Sequence, residues 1–121
     1  MANPNIVGVT TITGKTMGLA IGATQTTLLT NAAASGKVFK INAIIISNID
    51  GTNAADMTLE FYDATTTTDY KITSTLSVPP DNTLLAIDKS TSIYLEEGDI
   101  LKGTASSASD LVAIISYEEI S

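Results

Sequence analysis

Alternation of apolar and polar residues is the clearest pattern along the chain. Residues 57–62, 70–78 and 92–96 place apolar side chains at nearly every second position, with polar side chains between them. A period of two is typical of β-strands that bury one face. The predicted buried faces consist of Met57, Leu59 and Phe61, of Tyr70, Ile72, Leu76 and Val78, and of Ile93 and Leu95.

Turn signals separate the predicted strands at short intervals. Most are rich in glycine, proline, asparagine and aspartate, which turns favour, and they lie at 35–36, 50–53, 65–68, 79–82, 97–99 and 106–110. Helical periodicity is weak, and we expect the best helical candidate, residues 27–35, to be a strand end and a connection. The spacing predicts an all-β fold, a two-sheet antiparallel β-sandwich of jelly-roll type with roughly eight strands.

Two predicted strands are apolar on both faces, although a sandwich needs only one apolar face per sheet. In residues 37–49, Phe39, Ile41 and Ile45 are expected on the inner face. In residues 37–49 and 111–120, the side chains expected on the outer face include Ile44, Ile46, Val112, Ile114 and Ile120. Either residues 6–21 fold over this face or a second copy of the protein covers it. We therefore predict these five residues as interface candidates and the chain as a homo-oligomer, with a trimer favoured.

The domain prediction follows from these patterns. Residues 1–22 are expected to form an extended N-terminal arm or first strand, and residues 23–121 a single β-sandwich domain. The longest unbroken apolar run, residues 111–115, has five residues, far short of the roughly 20 that cross a membrane, so no membrane partner is expected.

The composition lacks the residue types on which most enzyme mechanisms depend. The 121 residues contain no cysteine, histidine, arginine or tryptophan. A Ser-His-Asp or Cys-His mechanism lacks its base, and a structural zinc site lacks its usual ligands. The net charge of −7 would repel nucleic acid. We predict no enzymatic activity, no cofactor and no nucleic-acid partner.

Oxygen ligands for a metal ion are available in one predicted loop. Asp50, Asn53 and Asp56 could bind calcium, but their spacing does not match the EF-hand loop. Asp-Gly and Asn are also ordinary turn formers. We therefore predict a long hairpin loop here and no metal site.

Three carboxylates crowd the stretch SIYLEEGDILKG, residues 92–103. Glu96 and Glu97 are adjacent, so on a strand end they would point to opposite faces and could not act as a catalytic pair. Gly98 supplies a backbone angle that other residues resist. We predict a turn between two strands, with the carboxylates of Glu96, Glu97 and Asp99 in water.

Most of the chain from residue 37 onward resembles a module of small virion structural proteins of tailed phages, especially marine cyanophages. The resemblance rests on VFKINAIIISNIDGTNAADMTLEFYD and LSVPPDNTLLAIDKSTSIYLEEGDILKGTASSASDLVAIISYEEI. Its features are a Gly-Lys entry to a strand, a hairpin containing Asp-Gly, a proline-bearing turn before IYLEEGD-x-L, and an SYEEI ending. The resemblance implies a β-sandwich on the virion surface or its appendages, and none of these motifs is catalytic.

Three hypotheses for the function follow from the sequence. In the first, the protein is a capsid decoration or cement protein on the outer capsid surface, which bridges subunits of the major capsid protein. In the second, it belongs to the neck, tail or fibre of the virion. In the third, it is a calcium-dependent carbohydrate-binding module that uses Asp50, Asn53 and Asp56, although it lacks the tryptophan that sugar platforms often use.

Overall fold

Two antiparallel sheets make up the computed structural model of the protein, which describes residues 4–121. Single 3-10 turns lie at Ile6–Gly8 and Lys89–Thr91. The nine strands of the described residues are β1 (Ile12–Ala20), β2 (Thr26–Thr30), β3 (Val38–Asn48), β4 (Ala55–Asp63), β5 (Thr68–Val78), β6 (Thr83–Ile87), β7 (Ile93–Leu95), β8 (Ile100–Ala105) and β9 (Leu111–Ile120).

The strand order is that of a jelly roll. Sheet A has the order β1-β9-β3-β6, with the short strand β7 also pairing with β3, and sheet B has the order β2-β8-β4-β5. Eight of the nine strands divide equally between the sheets, and the chain crosses repeatedly from one sheet to the other. The predicted antiparallel β-sandwich is confirmed, and β7 is the additional strand.

The core lies between the inner faces of the two sheets. Strands β3 and β9 of sheet A and β4 and β8 of sheet B supply most of its fully buried side chains, as their alternating burial shows. Its largest members include Ile41, Ile44, Ile46, Met57, Leu59, Leu95, Leu101, Leu111 and Ile115. The inward face predicted for β4 is confirmed, since Met57 and Leu59 are buried and Phe61 packs against the core.

A β-bulge in β3 overturns the outer-face prediction for Ile44 and Ile46. The register with β9 shifts between Ile41 and Ala43, so one extra residue enters β3. Such an insertion reverses the side-chain alternation beyond it. Ile44 and Ile46 therefore point inward and are fully buried, whereas strict alternation from Ile41 placed them outside.

Most of the N-terminal segment forms a strand and does not fold over a sheet face. Residues 12–20 are β1, which extends sheet A in its own plane by pairing with β9. The pairing reaches the C-terminus, where the N–H groups of Thr10 and Thr11 donate to the carbonyl of Ser121. The arm predicted for residues 1–22 thus includes an edge strand, and the part outside the sheet precedes Thr10. Residues 1–3 of that arm lie outside the described residues.

The apolar face predicted for β5 exists but is mostly uncovered. Tyr70, Ile72 and Leu76 are all exposed, and Val78 alone among the four predicted residues is buried. Strand β5 is an edge strand of eleven residues. Across the sandwich, the edge of sheet A consists of the five-residue β6 and the three-residue β7, which are too short to cover it.

Glu119 ties the edge strand β1 to the centre of sheet A. Its two carboxylate oxygens accept hydrogen bonds from Lys15 Nζ of β1 at 2.9 Å and from Lys37 Nζ, just before β3, at 3.1 Å. The hydrogen bond from Lys15 and the charges of both lysines hold the pKa of Glu119 below its ordinary value, against a smaller opposing effect of burial. Glu119 therefore stabilises the fold while it is ionised.

Replacing Glu119 with glutamine should lower the melting temperature at pH 7 and weaken its pH dependence. Because the folded-state pKa is lowered, the contribution is present above the ordinary value of 4.5 and is lost as the pH falls through the folded-state pKa. The loss should be at most about 1 kcal/mol, since both lysines remain largely in water. Thermal melts between pH 3 and 7 test this, with Glu118→Gln on the opposite face of β9 as the control. A constant difference between Glu119→Gln and wild type at every pH would contradict it.

Candidate assembly surface

The outer face of sheet A carries two apolar or uncharged rows that cross four strands. The first row runs through Gly18, Ile114, Ile45 and Leu85, which are partners in register from β1 to β6. The second row lies two residues further along each strand and consists of Ala20, Val112, Ser47 and Thr83. We call these eight residues the assembly face.

The assembly face is exposed and contains no charged side chain. Leu85 is 54% exposed and Ile114 is 40% exposed, on a chain whose net charge is −7. Lys40 and Glu118, which lie on the same outer side of sheet A, are partners in register near the Val38 end of β3. A neighbouring protein could therefore cover the assembly face without removing an ion from water.

The interface candidates predicted from the sequence divide into two groups. Val112 and Ile114 lie on the assembly face. Ile44 and Ile46 belong to the core, and Ile120 is 3% exposed at the end of β9. These last three are covered within a single chain, so they cannot supply a contact surface for a partner.

Sequence reasoning missed two of the four large apolar side chains of the assembly face, Ile45 and Leu85. Ile45 was assigned to the inner side of its strand, and the bulge in β3 turned it outward. Leu85 lies in the sequence TLLAI of β6, where four consecutive apolar residues hide the alternation. The register with β3, which no sequence pattern reveals, places Leu85 beside Ile45.

Two of the carboxylates in residues 96–99 bind backbone groups. Asp99, which is 1% exposed, accepts hydrogen bonds from the N–H of Ala64 at 3.0 Å and of Glu96 at 2.9 Å. Glu97, which is 4% exposed, accepts the N–H of Gly36 at 2.7 Å. The predicted turn is confirmed, with Gly98 at a φ of +91°. The expectation that all three carboxylates lie in water was wrong for Glu97 and Asp99, because they satisfy N–H groups of neighbouring turns.

Asn31 is the centre of the same buried polar cluster. Its side-chain amide donates to the carbonyls of Lys37 and Leu95, both at 2.9 Å, and its side-chain oxygen accepts the hydroxyl of Ser35. Its backbone exchanges hydrogen bonds with Gly98 and Asp99. The cluster thus joins the β2–β3 connection to the β7–β8 turn, and its geometry indicates a structural role.

The calcium candidates separate into two environments. Asp50 and Asn53 share a turn, in which the carboxylate of Asp50 accepts the N–H groups of Thr52 and Asn53. The Thr52 hydrogen bond is the main reason that the pKa of Asp50 lies below its ordinary value. Asp56 instead bonds through its backbone to Ser106. Within residues 4–121, no group of three or more histidine, cysteine, aspartate or glutamate side chains is placed to hold a metal ion.

Comparisons with known proteins give a fold neighbour. No family model and no curated protein matches the chain. A protein of Bacillus endospore appendages, described as a novel family of disulfide-linked pili, aligns over 100% of this chain and 96% of its own with a TM-score of 0.56. Their sequences are 12% identical, so the likeness shows a shared fold.

A second structure is a pentameric capsid protein from metagenomic phage sequences. The alignment has a TM-score of 0.38 and 16% identity and covers 87% of this chain and 64% of that one. That score is too low to support an argument about this protein. In the described part of the chain, no helix has the length and apolar character needed to span a membrane.

Replacing Asn31 with aspartate should destabilise the protein by about 3 kcal/mol or more, because a buried charge would face two carbonyl oxygens. Urea denaturation at pH 7 measures this cost. Asn53→Asp, in an exposed turn, is the matched control and should change the free energy of unfolding by less than about 1 kcal/mol. Equal costs for the two variants would show that the buried cluster contributes nothing special to stability.

Proposed function

We propose that the chain is a structural protein of a tailed-phage virion, a homotrimer that decorates the outer capsid surface and bridges subunits of the major capsid protein. The assembly face is the observation that carries the proposal. The sequence resemblance from residue 37 onward is the reason for proposing that the particle it assembles into is a tailed-phage virion. The proposal includes no catalytic step, no cofactor and no nucleic-acid contact.

The mechanism of such a protein is adhesive. A partner that covers the assembly face removes the side chains of Ile45, Leu85, Val112 and Ile114 from water, and each Å² of apolar surface removed contributes roughly 25 cal/mol. Stable interfaces bury about 1,600 Å² in total, so the assembly face would form the apolar centre of a larger contact. A protein bound across two capsid subunits in this way resists their separation.

Noncovalent contact is the form of assembly that the composition allows. The Bacillus appendages that share the fold are described as disulfide-linked. The 121 residues of this chain contain no cysteine, so a link of that kind is not open to them. In this proposal apolar burial supplies most of the attraction to the partner, and the absence of charge on the assembly face supports this role.

Replacing Ile114 with lysine, or Leu85 with lysine, should weaken binding to capsids without unfolding the protein. Both side chains are exposed, so the melting temperature should stay near that of wild type. A charge at the centre of the contact should weaken binding by at least about tenfold, which corresponds to a lost anchor residue. Co-sedimentation with capsids that lack the protein measures the affinity.

Thr104→Lys is the matched control for these substitutions. Thr104 lies on β8, on the outer face of sheet B, so the same charge is added to the opposite side of the molecule. Its capsid binding should equal that of wild type. Equal binding by all three variants would remove the assembly face from the proposal.

The molar ratio of this protein to the major capsid protein in purified virions decides where it sits. Quantitative mass spectrometry should find a ratio near one-to-one if the protein decorates the whole shell. A few copies per particle would instead favour the neck, tail or fibre, and absence from the virion would refute both locations.

A further inference from the structure

An apolar groove opens along one lateral edge of the sandwich, between the two sheets. It has a volume of about 490 Å³ and lies between β5 of sheet B and the β6–β7 edge of sheet A. Lys71 is the one charged residue among those that line it. Its apolar lining includes Phe61, Tyr70, Ile72, Ile87, Ile93 and Tyr94.

The sequence of β5 has the pattern of a strand whose apolar face is covered. In the single chain this face remains open, with Tyr70 49% and Ile72 36% exposed. The groove is the space beside it that β6 and β7 are too short to fill. An apolar surface of this kind on a soluble protein marks a site of interaction.

The N-terminal arm, residues 4–9, carries exposed apolar side chains that could fill such a groove. Val7 is 95% exposed and Ile6 is 47% exposed. They lie in a single 3-10 turn, Ile6–Gly8, none of whose residues is buried. The arm therefore presents apolar side chains that its own molecule leaves in water.

The register places arm and groove on opposite edges of sheet A. Ile12 pairs with Ile120, Ile120 pairs with Val38, and the adjacent Phe39 pairs with Leu95 of β7. The arm thus leaves the sheet at the same end as β7 but three strand spacings away, or about 14 Å. An arm that enters the groove of a neighbour makes a head-to-tail contact, which closes into a ring or continues as a filament.

Charge does not oppose the same pairing. Residues 1–49 contain three lysines and no acidic residue, whereas residues 50–121 contain three lysines and all 13 acidic residues. Two copies of a chain with net charge −7 repel each other. Residues 4–9 carry no charged side chain, so an arm in a neighbour's groove, whose charged lining residue is Lys71, brings no two carboxylates together.

We propose that the groove binds the N-terminal arm of a second copy, with Ile6 and Val7 beside Ile72, and that this exchange joins copies into the oligomer. The inference deepens the proposed function and rests on it for the purpose of the assembly. Extended residues of the arm would also add backbone hydrogen bonds at the free edge of β5 or β7, as in strand addition.

Disulfide trapping tests the contact directly, because the chain has no cysteine of its own. Val7→Cys protein is mixed with Ile72→Cys protein under mild oxidation, and mixed dimers are followed on non-reducing gels. A disulfide requires the two Cα atoms to approach within about 7 Å. The mixed dimer should form at least about tenfold faster than between Val7→Cys and Thr104→Cys, because docking raises the effective concentration of the thiols.

Two outcomes of the trapping experiment would overturn the inference. One is an equal rate with the Thr104→Cys control. The other is closure within single molecules when both substitutions, Val7→Cys and Ile72→Cys, are placed in one chain. The expected product of that double variant is a covalent oligomer, whose largest species gives the number of copies in a closed ring.

Light scattering gives an independent readout. Val7→Asp in the arm and Ile72→Asp in the groove should each shift the protein toward monomer, while Thr104→Asp should leave its size unchanged. An unchanged size for all three variants, or an equal loss of association, would contradict the exchange.

Failure of this inference and failure of the proposed function remain distinguishable. If trapping fails while capsids still bind the wild-type protein, the exchange is wrong and the decoration role stands. If trapping succeeds while capsids do not bind, the copies join through their arms and the decoration role is refuted.

Discussion

The β-bulge in β3 is the constraint on which the rest of the structure depends. Strand β3 is the strand of sheet A that pairs with three others, β9, β6 and β7. Without the shift between Ile41 and Ala43, Ile41 and Ile44 could not both point into the core. The same shift turns Ile45 outward, into line with Ile114 and Leu85. One inserted residue thus completes the core and creates the assembly face.

Backbone hydrogen bonding explains the buried carboxylates. Turns at one end of the sandwich leave the N–H groups of Gly36, Ala64 and Glu96 without strand partners, and a buried N–H must be satisfied. Glu97 and Asp99 accept these bonds, and charge-assisted bonds of this kind are stronger than neutral ones. The acidic turn therefore fixes three loops at the end where β7, the groove and the arm also lie.

Alternation and turn chemistry predicted the fold class, because both act over a few residues. Several predicted turns contain a residue of positive φ in the structure, including Gly36, Thr67, Asp81, Gly98 and Ser109. Bulges and register depend instead on pairing between distant strands. They explain why Ile44, Ile46 and Ile45 were assigned to the wrong sides.

The candidate surfaces were less predictable than the fold. Composition indicates apolar residues but not whether an edge strand is covered. The exposure of β5 follows from the lengths of β6 and β7 across the sandwich, and the burial of Glu97 and Asp99 follows from loops brought together by tertiary structure. Val112 and Ile114 were placed on the outer face correctly because burial in β9 alternates strictly from Leu111 to Tyr117.

The proposed assembly uses one surface for contact between copies and another for contact with the capsid. The assembly face lies flat on the outer side of sheet A, whereas the arm and the groove lie at its two edges. Copies joined edge to edge would keep their assembly faces uncovered, so self-association and capsid binding would not compete. Because each copy donates one arm and receives another, a closed ring leaves no arm or groove unoccupied, whereas an open chain always leaves one of each. Closure thus favours a small ring. The ring is a trimer if each contact rotates one copy by a third of a turn relative to the next.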